Sequence, residues 1–68
     1  MKKYRVTINN TLIEEERHFD VDALNPQAAH KDVLWDLAEF EEIAEIRNPE
    51  GVLVYGEQGF VNALRDAN

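Results

Sequence analysis

The 68-residue chain reads as a single α+β domain spanning residues 1–68. Its expected order is ββαββ: one helix on a four-stranded, mainly antiparallel sheet, followed by a short C-terminal helical turn. Three observations carry that expectation. Two N-terminal segments alternate apolar and polar residues, one amphipathic segment opens on Asn25-Pro26, and a Pro/Gly turn at 48–51 separates two apolar runs.

The first strand is KYRVTI, where Tyr4, Val6 and Ile8 alternate with Lys3, Arg5 and Thr7. Asn9-Asn10 signals a turn, and Leu12 and Ile13 could extend the second strand backwards. That second strand runs through ERHFDVDA. It places Arg17, Phe19, Val21 and Ala23 on one face and Glu16, His18, Asp20 and Asp22 on the other.

Asn25 is a suitable N-cap, and Pro26 fits the first helical position, where a missing N–H costs nothing. The segment NPQAAHKDVLWDLAEF then reads as a helix through Phe40, with a break near Glu41 and Glu42. At about 100° per residue, His30, Val33, Leu34, Leu37 and Phe40 form the core stripe, flanked by Ala29 and Ala38. Trp35, the one tryptophan, falls roughly 160° from Leu37, beside Ala28, Asp32 and Glu39.

Asn48-Pro49-Glu50-Gly51 specifies a three-residue hairpin with a G1 bulge. Its regular register opposes Arg47 to Leu53, Ile46 to Val54 and Glu45 to Tyr55. Ile46, Val52 and Val54 should then face the helix, with Ile43, Leu53 and Tyr55 on the far side. The tail EQGFVNALRDAN reads as a turn and a terminal helix docking Phe60, Val61 and Leu64. The uncovered sheet face should show Lys3, Arg5, His18, Asp20, Asp22, Glu45, Arg47, Leu53 and Tyr55.

A chain of this length buries only about 60% of its unfolded surface, so the core is small. With no cysteine there is no disulfide or thiolate metal site, and a reducing, cytoplasmic setting is expected. No stretch has the apolar length of a membrane span or a signal-peptide core. The net charge is −7, and residues 14–68 carry all 14 acids and four of the seven Lys/Arg, a balance of −10. That distribution argues against direct nucleic-acid binding, which needs a basic footprint. It suits either a solvated surface or a complement to a basic protein partner.

Chemistry-bearing constellations are few. Glu16, His18, Asp20 and Asp22 share a strand face and offer a weak metal or acid–base reading through His18, Asp20 and Asp22. Side chains two apart on a strand lie nearly 7 Å from one another and diverge, which suits a tetrahedral site badly. His30 reads as a half-buried, hydrogen-bonded residue. With no Cys or Ser as nucleophile and no phosphate-cradling glycine loop, no enzyme and no cofactor are expected. The acids Glu14-Glu15-Glu16 and Asp36, Glu39, Glu41, Glu42 and Glu45 are solvated faces or mimics of phosphate spacing. Trp35 among them has the composition of a binding anchor.

The succession YRVTI, FDVDALNPQAAH, helix, IAEIRNPEGVLVYG resembles the strand–strand–helix–hairpin plan of many small phage and mobile-element proteins, some anti-CRISPR inhibitors among them. Inhibitors of that kind that grip guide RNA are basic, and this chain departs from them in charge. The resemblance therefore implies a nucleic-acid mimic that occludes the binding surface of a nucleic-acid-processing complex. The resemblance transfers no binding residue; the helix wheel and the hairpin register give the expected contact, Trp35 as anchor, with Asp32, Asp36, Glu39 and Glu42 as charge complement and Leu53 and Tyr55 as a second apolar strip. The alternative is a dimeric, antitoxin-like accessory subunit associating through its sheet.

Overall fold

A computed structural model describes residues 1–61. Its elements are β1 (Lys2–Asn10), β2 (Glu15–Ala23), α1 (Pro26–Leu34), β3 (Glu41–Arg47), β4 (Leu53–Gly56) and β5 (Gly59–Phe60). The α+β class stands, with one addition: the antiparallel sheet has five strands, in the order β2-β1-β3-β4-β5. Phe60 lies in β5 rather than in a terminal helix, and Leu64 falls outside the described residues.

β1 is antiparallel to β2 on one side and to β3 on the other. The two flanking strands therefore run parallel, and α1 must cross over β1 to join them. This crossover explains why the apolar side of β1 becomes the centre of the core. Tyr4, Val6 and Ile8 lie under the helix with Ala23, Ala29, Val33 and Ile46, and all seven are buried. Phe19, Val21, Ala28 and Leu37 pack around them. Among the described residues no helix is long and apolar enough to cross a membrane.

The helix starts as its sequence dictates. Asn25 Oδ1 accepts from Ala28 N–H at 2.8 Å, with Pro26 in the first turn. It ends six residues earlier than expected, at Leu34, with Trp35 as its C-cap. Asp36 N–H then reaches back to Val33 C=O at 2.9 Å, a tightened final turn. Leu34 and Phe40, expected in the core stripe, are both exposed; only Val33 of that stripe is fully buried.

The hairpin turn is as expected. Gly51 adopts φ 83°, its N–H donates to Asn48 C=O at 2.8 Å, and Arg47 opposes Leu53. Beyond that pair the regular register fails. A bulge makes Tyr55, not Val54, the partner of Ile46. A second bulge pairs Thr7 with Glu45 but Ile8 with Ile43, skipping Ala44. An extra residue shifts the alternation by one. Ile43 and Tyr55, expected on the outer face, therefore pack against the core, whereas Val52, expected inside, is exposed. His30 on α1 confirms the side taken by Tyr55: the rings stack with centroids 4.6 Å apart, and Phe60 closes the triad at 5.2 Å from His30. This aromatic packing takes the place of the hydrogen bond expected for His30.

Candidate functional surface

Two connections meet at the end of the sheet where β1 finishes and β3 begins. The first is the turn Thr11–Glu14. Asn10 Oδ1 accepts from the backbone N–H groups of Leu12 (2.9 Å) and Ile13 (3.2 Å), and Glu14 N–H donates to Asn10 C=O at 2.8 Å. Asparagine bonding its own following backbone rigidifies a turn. The side chains this turn presents are apolar, with Leu12 65% and Ile13 57% exposed. They extend no strand, contrary to the sequence expectation.

The second connection is 35–40, between α1 and β3. Trp35 is 80% exposed, and Phe40 is 49% exposed with a left-handed backbone, φ 72°. A bulky residue takes that conformation only where its surroundings impose it. Here Thr11 imposes it, because its N–H (2.7 Å) and its hydroxyl (3.0 Å) both donate to Phe40 C=O. The same bonds tie the two apolar connections together.

Glu41 fastens this end from the other side. Its Oε2 and Oε1 accept from Arg17 Nε (2.9 Å) and Nη2 (3.0 Å), and Oε1 also accepts from Ala38 N–H at 2.9 Å. Arg17 in turn stands over the Phe19 ring, 5.2 Å from its centroid. The Arg17 hydrogen bonds, with that of Ala38, hold the Glu41 carboxyl below the usual carboxylate range. The same pairing raises Arg17.

The predicted contact residues divide accordingly. Asp32, Trp35, Asp36 and Glu39 lie on one continuous segment and are exposed. Glu42 is exposed on β3 opposite Asn9. Leu53 stays on the open face beside Arg47, while Tyr55 is lost to the helix side, so the second apolar strip does not form. Residues 11–15 and 32–42 carry seven acids and no Lys or Arg. Sequence reasoning missed Leu12, Ile13 and Phe40. Two apolar residues between turn formers were a usable signal for the first pair, and nothing local marked Phe40.

His18, Asp20 and Asp22 do lie along the open face of β2, but among the described residues no three His, Asp or Glu side chains converge for a metal ion. The His18 ring does have a partner that the sequence reading overlooked. Thr7, opposite it on β1 and only 6% exposed, places its hydroxyl 2.9 Å from Nδ1. This bond satisfies a buried hydroxyl.

No protein-family model, curated protein or solved structure matches the chain.

Proposed function

We propose that this chain is a non-enzymatic protein-binding module of the anti-CRISPR-inhibitor kind, which occludes a basic, nucleic-acid-binding surface on a partner. The observation that carries the reading is Trp35, exposed among Asp32, Asp36 and Glu39, with Lys31 one helical turn before it as the cation of that stretch. Tryptophan supplies large contact area at low conformational cost, and carboxylates around it steer and select a Lys/Arg-rich partner. Leu12, Ile13 and Phe40 enlarge the apolar part of the contact, and Glu14 and Glu15 extend its acidic rim.

Affinity capture from the native host tests this, with three controls. Trp35→Ala should abolish capture while leaving the circular-dichroism melt in place. Added salt should weaken capture steeply. A DNA or RNA duplex should displace the captured protein, because both ligands claim the same basic surface. Capture that survives Trp35→Ala and excess duplex overturns the reading.

One observation favours association through the sheet instead. β2 is a nine-residue strand at the end of the sheet order, and among the described residues it pairs with β1 alone. Light scattering over a concentration series separates the two readings: a strict monomer removes the second.

A further inference from the structure

We propose that the open face of the sheet carries a phosphate-binding site formed by Lys3, Arg5, Arg47 and Asn48. These residues line one concavity between β1, β2 and the β3–β4 turn, together with Asp20.

The pairing of the strands provides the first reason. Arg5 on β1 stands directly opposite Arg47 on β3. Like charges in that position repel, and neither is required by the core beneath. A local rule broken without structural return marks functional positions more often than ordinary surface does. Lys3 lies two residues from Arg5 on the same face and has no carboxylate within ion-pair distance among the described residues.

The second reason is the direction in which the donors are already spent. Arg5 meets Asp20 only through Nε, at 3.4 Å. Arg47 meets Glu45 through Nε at 2.7 Å, and its Nη1 donates to Gly51 C=O at 2.9 Å. Both Nη groups of Arg5 and the Nη2 of Arg47 have no protein acceptor among the described residues. Asn48 Oδ1 is occupied by the N–H groups of Glu50 (3.0 Å) and Val52 (2.9 Å), and its amide nitrogen has no acceptor among the described residues. The Glu45 and Gly51 bonds hold Arg47 in place before any ligand arrives.

The converging donors select the ligand class. Lys3, Arg5 and Arg47 are offset by Asp20, by Glu45 on Arg47 and by Asp22 opposite Lys3, so a ligand is held by the unspent guanidinium and amide N–H groups rather than by an excess of charge. A phosphate group carries about −1.5 to −2 near neutral pH and offers three acceptor oxygens to several converging N–H groups. A carboxylate has half that charge and would compete poorly with the neighbouring Asp20 and Glu45. The site goes beyond the partner-binding reading and does not depend on it, because it lies on the other side of the sheet from α1.

Nuclear magnetic resonance titration of the full chain with inorganic phosphate at low ionic strength tests the proposal. A parallel titration uses glycerol phosphate, and sodium acetate serves as the control. The Arg5 and Arg47 Nε–H and Asn48 side-chain signals should move saturably, with a dissociation constant on the order of 1 mM for so open a site. Stronger binding of glycerol phosphate assigns the site to phosphate esters, and equal or stronger binding of inorganic phosphate assigns it to the free ion. Arg5→Gln should weaken either ligand by roughly tenfold or more. The same change should leave the ligand-free melt nearly unchanged, since it removes the like-charge contact with Arg47 together with the exposed pair with Asp20. Lys3→Gln, at a residue with no ion pair among the described residues, should also weaken binding. The proposal is overturned by absence of saturation, by equal shifts with acetate, or by undiminished binding in both variants.

Discussion

The side of the sheet under α1 seals Tyr4, Val6, Ile8 and Ile46 against Ala29 and Val33, whereas on the opposite side Thr7 alone is buried among the described residues. Both sides are drawn from the same strands, and β1 contributes to each by strict alternation. A layer of helix shields the first side. Among the described residues the second side carries no helix, and its buried position, Thr7, is bonded to His18 on the neighbouring strand. Stability is therefore concentrated on one side, and the other is free to hold charged groups in unfavourable juxtapositions such as Arg5 opposite Arg47.

The strongest way to break this contrast is a core truncation. Ile46→Ala removes a fully buried side chain at the junction of β1, β3 and β4, and should cost about 2–5 kcal/mol in a urea melt. For a domain this small that is a large share of the total. Asn25→Ala attacks the layer itself by removing the cap from Ala28 N–H, with an expected cost of about 1 kcal/mol by the same measurement. Asp22→Ala, an exposed substitution on the open side, should stay within about 0.5 kcal/mol of zero. Were it to cost as much as Ile46→Ala, the division between the two sides would not hold.

The last prediction concerns pH. The Glu41 carboxyl has a lower pKa folded than unfolded, so its pairing with Arg17 and Ala38 stabilises the fold above the ordinary carboxylate range. That contribution is lost as pH falls from this range through the lowered folded value. In Glu41→Gln, stability should fall less steeply over the same interval, which pH-resolved denaturant melts would detect. The Trp35 signal should respond as well, since Glu41 fastens the connection that carries it.

The sequence announced much of this fold, but unevenly. β1, β2, the Asn25-Pro26 start and the Gly51 turn were legible because each rests on a local rule: alternation, capping, or a positive φ. The end of α1 was not. Residues 35–40 contain no Gly or Pro, and WDLAEF has ample helix propensity; what stops the helix is a carboxylate on β3 and a threonine on the β1–β2 turn. The bulges at Ala44 and Val54 were equally hidden, since nothing in EIAEIR or VLVYG distinguishes an extra residue from a regular one. Their effect on the candidate surface was large: one bulge carried Tyr55 to the helix side, and the early helix end turned Phe40 outward. Trp35 was read as exposed for a reason that proved incomplete. It stands outside as the wheel placed it, but as the C-cap of α1, with helical dihedrals of φ −71° and ψ −19°, rather than in the middle of a longer helix.

The crossover of α1 over β1 also constrains how quickly the domain can assemble. The β1–β2 hairpin closes across a short turn, with nine residue pairs in unbroken register. The pairing of β1 with β3 must instead gather residues separated by the whole of β2 and α1, which makes it entropically late. Truncation at Val6, which faces Phe19 across that hairpin, should slow refolding. Truncation at Ile46 should chiefly hasten unfolding. A strand that is central in space is thus completed last in time.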